Sequence, residues 1–546
     1  SEPIGKRTTY LAGLRRSWYD VLTIPALAII NSSQKDEKTR FRYYFMDFNA
    51  KVSHDFSSKL NGFVSAYYGN DLLVTGGKWN SAETSGWYED EKYDFNWGNL
   101  LVQAGLNYRI NPSLSAEFTA AYTRFFSGMK QDDLNRYRNN EEVTETRNIG
   151  KTENHIDDWI FRGDFDWRPD ESSHVRFGAN YVRHSFLPGR TYHKYVFNDN
   201  VTTSRDAVGS YGANEANAYI EDDWRISDKF RANAGVHTSL FNIDGKTYGG
   251  ISPRLSLSYN PAPNIAVKAA YSRTVQYVHQ LTQTYLALPS DQWIPVTRRF
   301  KPQTADKVAA GAYWQTPGGD YSVSIEGYYK FMHNLIEYRD EYYIQPPLEI
   351  WESQLTSGTG TAKGIDFKIE KTSGKLTGFI AYSLGWADRK FKDKNRGLPY
   401  PARFDNRHTI NIVLNWKISD KVQLNATWIG HSGNHVTLLP QNFESPSFGK
   451  QNYYSEEGTP LQTAVNNYQL PFYHRLDLSC NVKNRRGYWS FGLYNAYCHL
   501  NTIGIRRGYR DEMQQTSQGW QYTSRPVFQK IKFLPIIPSI SYTWQF

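Results

Sequence analysis

Between Leu100 and Tyr108 the chain alternates. Leu100, Val102, Ala104, Leu106 and Tyr108 are apolar, and Leu101, Gln103, Gly105 and Asn107 between them are mostly polar or small. A period of two sends successive side chains to opposite faces of a strand, so one face is greasy and the other largely polar. After the turn Asn111-Pro112-Ser113 the pattern resumes with Leu114, Ala116, Phe118, Ala120 and Tyr122, interleaved with Ser115, Glu117, Thr119, Ala121 and Thr123. It returns at 175–181, 230–236, 265–271, 323–329, 410–416, 422–428 and 540–546. The pattern predicts about twenty strands, among them 7–17, 96–108, 114–126, 157–168, 173–186 and a last one, 526–546, that merges with its approach segment.

The connections alternate in length. Tight turns rich in Asn, Asp, Pro, Gly and Ser, such as Arg168-Pro169-Asp170, Ser227-Asp228-Lys229 and Thr372-Ser373-Gly374, join every second strand pair. The other connections are long, polar and rich in Tyr, Trp, Asn and Arg, over 70–95, 127–156, 187–213, 277–303, 333–357, 388–403, 434–472 and 499–524. Compact soluble domains rarely carry so many long loops, whereas outer-membrane barrels have short turns on one rim and long loops on the other. Tyr108, Tyr122, Trp167, Tyr181, Trp224, Tyr271, Trp314, Trp416 and Trp428 stand at the ends of apolar sets, as an aromatic girdle requires. A soluble sandwich array or propeller is the alternative; its 40- to 50-residue repeats are not apparent. The fold class predicted is all-β, one transmembrane antiparallel β-barrel with both termini on the short-turn side. Twenty strands enclose more space than side chains fill, so something must plug or gate the lumen.

Composition narrows this further. The chain has 546 residues, which would suggest several domains if barrels did not run long as single units. Mean hydropathy is −0.65, and the longest nearly uninterrupted apolar run, 21–30, is half of the roughly 20 residues a spanning helix needs, which excludes a helical membrane protein. Aromatics make up 16% of residues, arguing against disorder. A net charge of +9 comes with no basic cluster or recognition helix, so nucleic acid is not an expected partner. No signal peptide stands at Ser1, so the chain reads as mature, cytosolic or trimmed.

Several stretches resemble TonB-dependent outer-membrane receptors. The end, Phe533-Leu534-Pro535-Ile536-Ile537-Pro538-Ser539-Ile540-Ser541-Tyr542-Thr543-Trp544-Gln545-Phe546, is similar to that family's last strand, which finishes on an aromatic. Similar too are Ala218-Tyr219-Ile220-Glu221-Asp222-Asp223-Trp224-Arg225-Ile226, Ser252-Pro253-Arg254-Leu255-Ser256-Leu257-Ser258-Tyr259, Tyr400-Pro401-Ala402-Arg403-Phe404-Asp405-Asn406-Arg407-His408 and Tyr473-His474-Arg475-Leu476-Asp477-Leu478-Ser479. The resemblance implies a barrel over 1–546 of about 22 strands, with an N-terminal plug and the first strand or strands missing from this chain. Glu2-Pro3-Ile4-Gly5-Lys6-Arg7 resembles the turn after those first strands. It also implies location in the bacterial outer membrane and energised import of a scarce nutrient: a siderophore, haem, cobalamin, glycan or peptide. The implied partners are outer-membrane lipid, the TonB complex acting through the missing plug, and the barrel-assembly machinery reading Tyr542, Trp544 and Phe546. A surface lipoprotein or other subunits of an outer-membrane complex are further candidates. An accessory or structural barrel without transport activity is the competing reading.

No catalytic set stands out, so the chain is not expected to be an enzyme, and no cofactor or metal is expected. His431 and His435 lack the Glu between them that metalloproteases need and read as solvated loop histidines. Gly358, Gly360 and Gly364 miss dinucleotide spacing and read as close-packing positions in the wall. Asp132, Asp133, Glu141 and Glu142 lack Ca²⁺-loop spacing. Rings stack on aromatic or sugar ligands and Arg pairs with anions. On that chemistry the candidate ligand contacts are Trp87, Tyr88, Trp293, Tyr338, Arg339, Tyr342 and Trp351 in the long loops. A plug should pack on the polar set Gln103, Asn107, Glu117, Arg176, Asn233 and Glu326. Cys480 shares the parity of Leu476 and Leu478 and should face lipid opposite a residue near Phe491; Cys498 should face the lumen or begin a loop, too far away for a disulfide.

Overall fold

The computed structural model describes residues 2–81, 86–139, 142–207, 209–281, 292–339, 351–438, 441–443, 459–461, 464–516 and 519–544. Twenty-three strands join in one antiparallel sheet. Glu2–Ile4, Asn200–Ala207 and Tyr400–Pro401 are short pieces, and the other twenty form a barrel wall in which each pairs with its neighbours in chain order. Glu2–Ile4 pairs with Thr8–Tyr10 around a tight turn, and Trp544 lies opposite Gly487 beside another, so both described ends lie at the short-turn rim.

The period-two sets face outward. Val52, Val64, Ala104 and Ala120 follow one another across four strands, and Tyr122 is followed by Trp159 one row higher. Val64 is 57% exposed and Ile251 65%, values that only a hydrocarbon solvent makes favourable over so wide a surface. The opposite parity is polar. Arg176 Nη2 reaches Glu221 Oε1 at 2.7 Å, and Tyr313 donates to Glu326. All six residues expected to face the lumen have this inward parity. Val64→Arg should therefore cost about 2–4 kcal/mol of stability in lipid vesicles, while Gln103→Arg on the inward face leaves it within about 0.5 kcal/mol. Equal losses in denaturant titrations would overturn the facing.

The wall extends much further than the amphipathic pattern does. Leu60–Ser81, Trp87–Asn111, Leu114–Asn139, Glu142–Trp167 and Ser173–Phe197 have 22 to 26 residues, against the roughly 9–11 that cross a bilayer. Most of 70–95 and 127–156, expected as loops, is paired strand, with Asn80 opposite Tyr88 and Asn139 opposite Glu142. Above the membrane both faces are wet, so hydrophobic alternation disappears while backbone pairing persists. Of the acidic residues expected in a solvated loop, Asp132, Asp133 and Glu142 stand in this ladder, where Arg147 Nε donates to Asp132 Oδ1 at 2.7 Å, and Glu141 lies outside the described residues. Most of 499–524 likewise belongs to a separate hairpin, Asn501–Thr516 with Gly519–Phe533, and the last wall strand shortens to Ile537–Trp544.

Tyr19–Ser33 forms a helix, an element the period-two reading did not contain, with Pro25 inside it. Leu22 and Ile29 are 71% and 72% exposed, so the helix adds nothing to a core. Its start is tied down by Arg16 Nη2 on Asp20 Oδ2 at 2.6 Å, and its end by Asn31 Nδ2 donating to Thr39 O at 2.9 Å. No described helix is long and apolar enough to cross a membrane.

Cys480 lies opposite Phe491 as expected, and both cysteines are free. Cys498 lies beyond the end of Gly487–Tyr494, exposed, with its N–H on Asn495 O at 2.7 Å, so it belongs to the loop start. A charged thiol reagent should label Cys498 at least tenfold faster than lipid-shielded Cys480, as read by mass spectrometry; the reverse order would contradict this register.

Candidate ligand-binding site

The buried core is in the mouth of the barrel on the long-loop side. After Gln276 the chain leaves the wall, and Val278–Leu281 pairs with Gln292–Pro295 to make a short hairpin. Apolar residues on both arms drive it inward. Tyr277 and Val296 bury with Phe186, Ala213, Phe241 and Ile243 of the wall strands, while Leu281 and Ile294 bury with Phe300, Ile336 and Leu355. Each such side chain contributes about 1.5–3 kcal/mol on burial. The Phe241 and Tyr277 rings stack at 4.7 Å, and Ser239 Oγ and Tyr277 OH are 2.6 Å apart. On the return path Arg298 Nη2 donates to Asp244 O at 2.7 Å, and Tyr248 OH to Thr297 O at 2.7 Å.

Under this hairpin lies a cavity of about 530 Å³. Trp293 and Val278 cover it, Leu101, Phe125, Ile156 and Phe186 form its apolar wall, and Asp158 and His184 its polar edge. The Trp293 and Phe125 rings are 6.5 Å apart and inclined at 68°. His184 Nδ1 is 2.7 Å from Asp158 Oδ1, and its Nε2 is 3.4 Å from Glu215 Oε2. Its ring stacks on Phe186 at 5.4 Å. The size and the largely apolar lining with few polar groups are those of a small-molecule site.

The expected contact residues divide. Trp293 is at the cavity, whereas Tyr338 does not line it but packs on the Leu281 cluster that holds the hairpin, with its OH on Gln292 Oε1 at 3.3 Å. Arg339 stands next to it, but its guanidinium is engaged by Leu355 O at 3.2 Å and Asp393 Oδ2 at 3.3 Å. Trp351 begins the helical turn Trp351–Gln354 that leads into Leu355–Lys371, and Tyr342 lies outside the described residues. Trp87 and Tyr88 are elsewhere. Trp87 contacts Tyr137, twelve residues and about 40 Å along the strand from Phe125, because the wall continues where a loop was expected. Of the residues expected to signal assembly, Tyr542 packs on Trp489 at 4.7 Å facing outward, Trp544 ends the last strand, and Phe546 lies outside the described residues.

Phe125, Asp158, His184, Phe186 and Glu215 carried no motif, and only their position on the inward parity near strand ends could have indicated them. The two histidines expected as solvated are half-buried. His431 stacks on Tyr473 at 4.7 Å, and the His435 backbone N–H donates to Arg403 O at 2.8 Å. The glycines behave as expected: a Cβ at Gly358 would stand 2.4 Å from Lys390 O, and one at Gly364 2.8 Å from Leu384 O.

A lipid-facing β-barrel with an aromatic-lined cavity in its mouth is an outer-membrane receptor architecture. The family model for the TonB dependent receptor-like beta-barrel matches residues 31–497, and the chain belongs to that family. No curated protein matches it in sequence. Among solved structures it is similar to the ferric-catecholate import receptor Fiu of Escherichia coli K12, at 11% identity over 93% of this chain and 81% of that one, with a TM-score of 0.53. It is also similar to two siderophore receptors of Acinetobacter baumannii. PiuA matches at 9% identity over 86% of this chain and 78% of that one, TM-score 0.52. PirA matches at 10% over 92% and 78%, TM-score 0.50. At these identities the likeness is one of fold.

Proposed function

We propose that this barrel imports a scarce, small nutrient across the outer membrane, capturing it in the cavity under the hairpin and drawing its energy from the TonB complex through a plug. The observation that carries this is the hairpin itself, which folds inward and covers one side of a ligand-sized, aromatic-lined cavity on the long-loop side. A wall that only had to scaffold other proteins would need no such cavity. In a strain producing the full protein, Trp293→Ala should raise the half-saturating nutrient concentration for uptake at least tenfold while the amount of barrel in the outer membrane stays constant. Unchanged uptake would remove the cavity from the transport route. The competing accessory-barrel reading is favoured by the exposed apolar helix Tyr19–Ser33, which offers a surface to another subunit. On that reading deletion of the gene abolishes a complex and no nutrient uptake.

A further inference from the structure

The charge pattern of the cavity restricts what it can hold, provided that it captures a ligand as proposed above. Its polar edge, Asp158 and His184, is backed by Glu215, and the three form a row with the imidazole between the two carboxylates at 2.7 and 3.4 Å. Even with His184 protonated the row carries one net negative charge. Asn217 Nδ2 donates to Glu215 Oε1 at 2.9 Å, a neutral contact that leaves this charge in place. Among the described residues, no Arg or Lys side chain offsets it at the cavity. The backbone of Arg124 lines the cavity, but its guanidinium lies on the outward face, 3.6 Å from Asp157, whose carboxylate also accepts from Tyr122 OH at 2.6 Å. The nearest inward arginine on the same strand, Arg176, is eight residues lower and holds Glu221. An anionic ligand would meet an uncompensated carboxylate in a largely apolar site, whereas a cation would complete the row.

The apolar lining selects in the same direction. Trp293 and Phe125 present a face and an edge at 68°, and Phe186 extends the aromatic surface below them. Aromatic faces attract cations through the ring quadrupole, most strongly when the site is desolvated. We infer that the cavity binds a cationic aromatic or alkylated ammonium compound, its ring or alkyl body packed against the joint surface of Trp293 and Phe125 and its positive group toward Asp158, with Glu215 behind, and that it disfavours anionic metal chelates.

Two probes with one ring system and opposite charge test this: tryptamine and indole-3-acetate, titrated into the purified full-length protein and followed by saturation-transfer NMR. Tryptamine should bind at least tenfold more tightly. Glu215→Gln, which removes a charge behind the lining, should shrink that preference at least threefold. Trp293→Ala should weaken tryptamine tenfold, and Trp293→Phe, which keeps a ring and the hairpin's packing, should restore most of the loss. Tighter binding of indole-3-acetate, or a preference that Glu215→Gln leaves unchanged, overturns the charge assignment. If indole-3-acetate binds more tightly and does so through Trp293, ligand capture stands and the inferred class falls. If neither probe depends on Trp293, capture in this cavity falls with it.

Discussion

Ile294→Asp is expected to release the hairpin from the barrel mouth while the wall remains folded. Ile294 is 0% exposed, among Leu281, Phe300, Ile336 and Leu355. Truncating such a residue to Ala costs about 2–5 kcal/mol, and placing an unpaired carboxylate there costs more. The hairpin has two arms of four residues each, and an isolated two-stranded ribbon of that size has almost no stability of its own. Its position therefore depends on this packing. The wall does not, since its twenty strands are held by their own ladder and by lipid. Limited proteolysis of the protein in vesicles should cut within 277–300 at least a hundredfold faster in the variant, a ratio of about 2.7 kcal/mol. The heat-dependent gel shift that reports a folded barrel should not change. A variant whose hairpin remains protected would show that the arms are held by something other than the cluster.

Acid should open the same hairpin through His279. This residue is 1% exposed, pairs with Ile294 in the ladder, and neither ring nitrogen has a hydrogen-bond partner. Burial among apolar groups disfavours the charged imidazolium and pushes its pKa from 6.5 down to about 4. The undocked hairpin, with its histidine in water, titrates near 6.5 and so binds the proton first. Above pH 6.5 both states are neutral and docking does not depend on pH. As the pH falls from 6.5 to 4 the undocked state is increasingly favoured, and below 4 the loss is complete. At about 1.36 kcal/mol per pKa unit the total is roughly 3 kcal/mol. The hydrogen-exchange protection factors at 278–281 and 292–296, taken against intrinsic amide exchange at each pH, should fall by about two orders of magnitude over that range, and His279→Leu should flatten the profile. An unchanged pH dependence in His279→Leu would place the titrating group elsewhere.

The membrane-crossing part of each strand was legible because lipid imposes a rule that one residue can satisfy or break. Val102 and Gln103 differ in solvent, so their order along the chain reveals their faces. The same reading placed Cys480 opposite Phe491 and put Arg176 and Glu326 on the inward side. It stopped at the outer girdle. Over 78–81 with 87–92 and over 129–139 with 142–152 both faces are in water, nothing selects apolar against polar, and a paired strand looks like a loop. The helix Tyr19–Ser33 escaped for a related reason: a short apolar run has no period-two signal and falls below spanning length.

The site followed the same division. The sequence by itself determined that the chain is a lipid-facing antiparallel barrel with short turns on one rim and aromatic, polar segments on the other, and that Trp293 and Tyr338 belong to the second rim. Only the tertiary structure decided that Val278–Leu281 and Gln292–Pro295 fold inward, that Trp293 meets Phe125, and that Asp158, His184 and Glu215 form one row while Trp87 and Tyr88 stand about 40 Å away. Lipid facing is a local property, repeated every second residue and readable one strand at a time. The cavity and the carboxylate behind it depend on contacts between residues 125, 158, 184, 215 and 293, and what brings them together is the pairing of successive wall strands and the burial of one hairpin's apolar face, neither of which is written in any single segment.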